Sequence, residues 1–211
     1  MKTKLIRTPA GTPLPSAELR ELAEAARQGR LLVFPTDTVY GLGTTGLIKA
    51  SSRDIYRVKR RDSMKPLPIL IHSIEEACRW VQWTPAAEAL ARSFWPGALT
   101  LVLPPTPDGR VLTSAEQPSL AVRVPDHAAL RDLIRESGVP WASTSANLSG
   151  MPALTDGGRA AREFEGLVDY IWDGGASLGR ESSVVDASGP VRILREGAIS
   201  RERIEQASAG L

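Results

Sequence analysis

The 211-residue sequence contains one cysteine, Cys78, and only two histidines, His72 and His127. A single thiol makes no intrachain disulfide and no thiolate metal cage, a usage that suits a reducing, cytoplasmic setting. Two histidines argue against a zinc-type site, and no protein-held metal is expected. They also offer little to a serine nucleophile, and no Gly-x-Ser-x-Gly elbow occurs. The P-loop pattern Gly-x-x-x-x-Gly-Lys-[Ser/Thr] is missing too, which excludes that class of ATPase. Aromatic residues make up 5%, few for the stacking platforms of single-stranded nucleic-acid recognition. No apolar run approaches the roughly eighteen residues of a membrane span, and residues 1–16 carry no continuous apolar segment of the kind found in secretory signals. No membrane association is expected. Internal repeats and low-complexity tracts are likewise missing.

What is present is a chain that is 42% hydrophobic, enough to fill one core, and a single domain over 1–211 is expected. The net charge is only +2, but it is unevenly placed. Between residues 53 and 65 lie six basic residues (Arg53, Arg57, Lys59, Arg60, Arg61, Lys65) and two acidic ones (Asp54, Asp62), a local +4 that leaves −2 for the remainder. Concentrated basicity points to a small anionic ligand or a short polyanion contact more than to a broad nucleic-acid surface.

Residues 1–15 read as an extended lead-in, rich in Pro, Thr and Gly, ending at a helix N-cap at Ser16. The apolar run 31–34 reads as a buried strand, and 67–71, 98–103, 120–124 and 168–172 as further strands. A strand pair is expected at 183–186 and 191–194 around Gly189-Pro190. Helices are predicted after Ser51 or Ser52, after Ser73 with Glu76 as a capping box, after Thr84-Pro85, after Asp126 to Gly138, over 158–164 and after Ser200. Interleaved strands and helices indicate an α/β layered domain, and the close strand pairs favour a mixed sheet.

Two stretches have ligand-type chemistry. Ser143 to Gly150 reads STSANLSG, a hydroxyl-rich loop at the end of a strand, where α/β sheets gather ligands. The competing reading is a polar turn or helix cap. Residues 35–46 read PTDTVYGLGTTG, a second such loop. Its Gly41-Leu42-Gly43-Thr44-Thr45-Gly46 matches Gly-x-Gly-x-x-Gly, but six residues separate it from the strand and no helix opens at the glycines, so it is read as a decoy and not as a dinucleotide fingerprint. Lys59, Arg61 and Lys65 lie between the two loops, with Arg123 and Arg195 at strand ends. A solvated helix face is the ordinary explanation of such a run. Convergence of several cations on one nucleotide is the more economical one, and Lys59 and Arg61 are expected to face solvent or ligand.

Taken in order, Pro35-Thr36-Asp37-Thr38-Val39-Tyr40-Gly41-Leu42-Gly43, Lys59-Arg60-Arg61, Pro66-Leu67, Trp95-Pro96-Gly97 with Thr100, Arg123-Val124-Pro125-Asp126-His127 and Ser143 to Gly150 resemble the threonylcarbamoyl-adenylate synthase family, the YrdC-type proteins, in their short single-domain form. The resemblance extends over residues 31–197. One departure is Asp62 after Arg61, where many members have proline. The resemblance implies a twisted mixed sheet flanked by helices around a positively charged cavity. It also implies a nucleotidyltransferase that joins L-threonine, bicarbonate and ATP into threonylcarbamoyl-adenylate and pyrophosphate, with Mg2+ carried by ATP. Other proteins then transfer the group to an adenosine of tRNA. By family match Lys59 and Arg61 are catalytic; Lys59, Ser119, Ser143, Ser145, Asn147 and Arg195 face ATP; and Thr36, Arg123 and Ser182 or Ser183 hold threonine. Two other readings compete. One is an RNA-binding protein that uses the same cationic cavity on tRNA or double-stranded RNA without catalysis. The other is a carbamoyl-adenylate module of the hydrogenase-maturation type.

Overall fold

The computed structural model describes residues 2–60, 66–112 and 118–209. Strands β1 (Lys4–Arg7), β2 (Leu32–Phe34), β3 (Gly41–Thr45), β4 (Ile69–Leu70), β5 (Leu99–Leu103), β6 (Leu120–Arg123), β7 (Trp141–Ser145), β8 (Tyr170–Asp173), β9 (Ser183–Asp186) and β10 (Arg192–Arg195) form one sheet. Their spatial order is β1-β8-β2-β3-β7-β4-β6-β5-β9-β10. Pairing is mixed: β1 and β2 run parallel to β8, β4 to β6 and β5 to β9, while the remaining pairs are antiparallel. Around the sheet lie α1 (Ser16–Arg27), α2 (Lys49–Lys59), α3 (Ile74–Trp80), α4 (Pro85–Phe94), α5 (Ala128–Ser137), α6 (Gly157–Phe164) and α7 (Arg201–Ser208). The fold is therefore the mixed α/β domain that the interleaved pattern indicates.

Successive side chains along a strand point to opposite faces, and the sequence uses this to build two different surfaces. Leu99, Leu101 and Leu103 of β5, Leu120 and Val122 of β6, and Val185 of β9 enter the main core with Ala77, Trp80, Leu90, Ala91 and Ile204 of α3, α4 and α7. On the other face a second core joins Leu22, Ala23 and Ala26 of α1 and Leu130, Leu133 and Ile134 of α5 to Leu32, Phe34, Leu70, Trp141 and Trp172. Helices α1 and α5 cover this second face over β8, β2, β3 and β7. Beyond them, over β6, β5 and β9, the face is open, with Leu70 of β4 at the border between the second core and the opening.

Local chemistry explains most element boundaries. The Ser73 hydroxyl accepts from Glu76 N at 3.2 Å, while the Glu76 carboxylate accepts from His72 N at 2.8 Å, one residue earlier than a capping box requires. Thr84 accepts from Ala87 N at 3.0 Å and donates to Ala187 O at 2.8 Å, tying α4 to the end of β9. Gly138 ends α5 at φ 65°, where a side chain would be strained.

Several sequence expectations are corrected. The lead-in contains β1, which zips onto β8. Ser16 is already helical and Pro15 precedes it without a side-chain cap, since proline at that point presets the backbone. Helix α2 starts at Lys49 after Ile48, so Ser51 sits inside its first turn, buried. His127, not Asp126, caps α5: its Nδ1 accepts from Leu130 N at 3.2 Å, its ring stands edge-on to Trp172 with centroids 5.4 Å apart, and Asp126 instead pairs with Arg131. Burial pushes the His127 imidazole below its ordinary pKa, which keeps Nδ1 an acceptor. Gly41 to Thr45 and Ser143 to Ser145, read as loops, are paired strands. The Gly-x-Gly-x-x-Gly match thus serves packing: a Cβ at Gly43 would lie 2.9 Å from Ala142 O and 3.0 Å from the Phe34 ring. Among the described residues no helix is long and apolar enough to cross a membrane.

The hydroxyl of Thr44 in β3 is fully buried and has no hydrogen-bond partner among the described residues. Thr44→Val should therefore raise stability by about 1 kcal/mol, seen as a higher urea midpoint at unchanged slope. A lower midpoint would mean the hydroxyl has a partner.

Candidate active site

The open half of the second face is the floor of a cavity of about 500 Å³, well within the range of small-ligand sites. The same alternation that sends leucines to the main core sends Thr100 and Val102 of β5, Ala121 and Arg123 of β6, Val184 of β9 and Ser182 just before it into this space. Ser143 and Ser145 of β7 and the 36–41 segment close one side, and Leu194 and Arg195 of β10 the other.

At the inner end, Arg123 is held on three sides. Its Nε donates to Gly97 O at 2.9 Å, Nη1 to Thr38 Oγ1 at 2.9 Å and Nη2 to Asp37 Oδ1 at 2.6 Å. Both charges are nearly dry, with side-chain exposures of 7% and 11%. Burial draws the Arg123 pKa down, and the Asp37 carboxylate opposes that shift. Thr38 and Thr36 lie 2.9 Å apart, and Thr36 donates to Val39 O at 2.7 Å. Each hydroxyl has one proton, so Thr38 donates to Thr36 and the bonds run in one direction from guanidinium to carbonyl. Three of the five guanidinium N–H groups are committed, and two are open among the described residues. Beside them Thr100 and Ser182 share one hydrogen bond at 2.9 Å, leaving one hydroxyl proton uncommitted.

Next to that hydroxyl pair the cavity is more exposed, and there the Arg195 charge is near enough to add to the downward pull on the Arg123 pKa. Arg195 donates to Glu181 Oε2 at 2.7 Å and to Ser182 O at 2.9 Å, with its side chain 48% exposed. On the β7 side, Asn147 Oδ1 accepts from both Ser145 Oγ at 2.8 Å and Lys59 Nζ at 2.7 Å, and Lys59 also reaches Ser145 O. Among the described residues no three His, Cys, Asp or Glu side chains gather closely enough to hold a metal ion.

A sequence profile of the Sua5/yciO/yrdC family, described as Telomere recombination, matches residues 24–197. The chain belongs to this family. The threonylcarbamoyl-AMP synthase of Bacillus subtilis is 39% identical over 194 residues, covering 89% of this chain and 56% of that protein. The threonylcarbamoyl-AMP synthase of Rattus norvegicus is 31% identical over 230 residues, covering 92% of this chain and 80% of its own length. Among solved structures, Pyrococcus abyssi Sua5 complexed with L-threonine superposes with a TM-score of 0.90 at 38% identity, over 98% of this chain and 61% of that one. This chain thus spans little more than half the length of the Bacillus and Pyrococcus proteins.

Of the residues that resemblance to this Sua5/YrdC family nominates, Thr36, Ser119, Arg123, Ser143, Ser145, Ser182 and Arg195 line one cavity. Thr36 does so with its hydroxyl already committed to its own turn. Lys59 is corrected: it does not face solvent but is 3% exposed, bonded beneath the end of β7 where the last turn of α2 abuts Ser145 and Asn147. Arg61 and Lys65 lie outside the described residues. Ser183 is also corrected, because it is the strand neighbour of Ser182 and so must point the other way. Its hydroxyl is fully buried, donates to Ile199 O at 2.5 Å and accepts from Gly197 N at 2.9 Å and Ile199 N at 3.1 Å. Asp37, Thr38, Thr100, Val102 and Ala121 were missed as site residues. The alternation in Leu99-Thr100-Leu101-Val102-Leu103 was the signal that marks them.

The two serines should separate on mutation. Ser183→Ala removes three bonds of a buried hydroxyl and should cost about 1–3 kcal/mol, whereas Ser182→Ala should change stability by no more than about 1 kcal/mol. Chemical denaturation of both variants checks this, and equal losses would contradict the assignment of faces.

Proposed function

We propose that this chain is an L-threonylcarbamoyladenylate synthase, which condenses L-threonine, bicarbonate and ATP. The observation that carries this reading is the presence, within one cavity, of a dry arginine and an exposed arginine about the Thr100–Ser182 hydroxyl pair, with the β7 hydroxyls on the side opposite Arg195. The fold match to a relative complexed with L-threonine supports it.

In the reaction, the threonine amine attacks the bicarbonate carbon and water leaves, giving a carbamate. A carbamate oxygen then attacks the α-phosphorus of ATP, the bond to the β-phosphate oxygen breaks, and pyrophosphate departs. Two anions have to meet, so most of the catalysis is positioning and charge neutralisation. The open N–H groups of Arg123 would take the threonine carboxylate, and the Thr100–Ser182 pair and the Thr36 turn would frame the amino acid. Leu70, Val102, Ala121 and Val184 supply apolar surface for its methyl group. Arg195 would meet the phosphates, with Ser119, Ser143 and Ser145 along the nucleotide. Lys59 acts through Ser145 and Asn147, fixing the end of β7, and Arg61, by the family resemblance, would add charge. Magnesium would arrive on the triphosphate, because the cavity donors are chiefly hydroxyls and carbonyls with Glu181 already paired to Arg195. The product, an activated acyl phosphate anhydride, would pass to proteins that modify tRNA adenosine in the cytoplasm.

RNA binding without chemistry fits less well. Among the described residues the exposed large apolar side chains are all aliphatic or Met, with no aromatic platform for bases.

The test is pyrophosphate release from ATP and magnesium, with threonine or bicarbonate omitted in turn and the nucleotide product weighed by mass spectrometry. Release that needs both, with the mass of threonylcarbamoyl-adenylate, is expected. Release independent of either co-substrate, or tRNA binding with no release, would overturn the reading.

A further inference from the structure

Each cavity arginine has a carboxylate partner, but the two pairs are differently built. Arg195 and Glu181 are 48% and 40% exposed, so water and salt screen their attraction and an arriving anion can take over the guanidinium. Arg123 and Asp37 meet at 2.6 Å with 7% and 11% exposure, and their attraction is little screened. A dry arginine with no acid behind it would be the stronger attractor of polyphosphate, the most highly charged ligand the reaction handles. Asp37 changes that ordering. It stands behind Arg123, outside the cavity lining, and cancels the charge while leaving two directional N–H donors. Such a neutralised donor pair suits the single carboxylate of a zwitterion. Pyrophosphate placed there would gain little net attraction from Arg123 and would be repelled by Asp37 across a low-dielectric gap.

We infer that Asp37 is a specificity-determining residue that keeps polyphosphate out of the amino-acid end of the cavity and thereby sets the order of the two substrates along it. The inference rests on the reading of the Arg123 end as the threonine subsite. It assigns the sorting of anions to a residue that touches neither ligand.

Calorimetric titration of the full chain with L-threonine, with and without inorganic pyrophosphate, tests it. In the wild type, threonine should bind with the same affinity at saturating pyrophosphate. In Asp37→Asn, pyrophosphate should become competitive, and the apparent Kd for threonine should rise roughly tenfold at the same pyrophosphate concentration. Pyrophosphate that competes with threonine in the wild type overturns the inference, and this arm stands even if the variant does not fold. Pyrophosphate that remains non-competitive in a folded Asp37→Asn protein overturns it as well, while leaving the threonine subsite intact. A wild type that binds no threonine overturns the subsite reading and the inference with it.

Discussion

The two-residue period of the β-strand is the constraint on which this structure depends. In β5 and β6 one set of alternate residues is apolar and enters the core beneath α3, α4 and α7, while the other set, Thr100, Val102, Ala121 and Arg123, faces the cavity; in β9 Ser183 and Val185 face inward and Val184 faces the cavity. The sheet is wide enough that α1 and α5 shelter only half of its second face. The uncovered half is the candidate site. A slip of one residue in any of these strands would bury Thr100, Arg123 or Ser182 in hydrocarbon and turn leucines into the cavity, so stability and site geometry are fixed by the same register.

Within that frame the polar groups are organised by counting donors and acceptors. Arg123 is secured by Gly97, Thr38 and Asp37, and the hydroxyl chain through Thr36 ends on the Val39 carbonyl. Removing one member of such a buried pair typically costs about 3–5 kcal/mol, which makes the inner end a rigid part of the molecule. The outer end is looser, a screened pair between adjoining surface segments. Rigid placement where an amino acid is held, and exchangeable charge where pyrophosphate must leave, are what the proposed reaction requires of the two ends.

Much of the architecture was legible in the sequence. The apolar runs gave the strands, and Thr84-Pro85, Ser73 and Gly138 marked helix ends through their own hydrogen bonds or backbone angles. The order of motifs carried the family, because their spacing across nearly the whole chain is far more specific than any one of them. Composition misled at the loops: Gly41 to Thr45 and Ser143 to Ser145 look like turns, yet pair as strands because glycine and serine are the residues thin enough to let β3, β7 and the Phe34 ring approach. The side of the strand on which Ser182 and Ser183 point depends on register, which local pattern leaves open where both neighbours are serine. Lys59 was expected to face solvent or ligand from its place in a basic run, and it is buried. Its burial depends on acceptors 86 and 88 residues away in sequence.

Under the proposed function, one face of the sheet holds the amino acid at Arg123 and the nucleotide phosphates toward Arg195. A crystal structure of the protein with L-threonine and a non-hydrolysable ATP analogue tests it most directly. The threonine carboxylate should lie within hydrogen-bond distance of Arg123, its methyl group against the apolar strand residues, and the phosphates at Arg195. Phosphates seated on Arg123, or threonine bound outside this cavity, would contradict it.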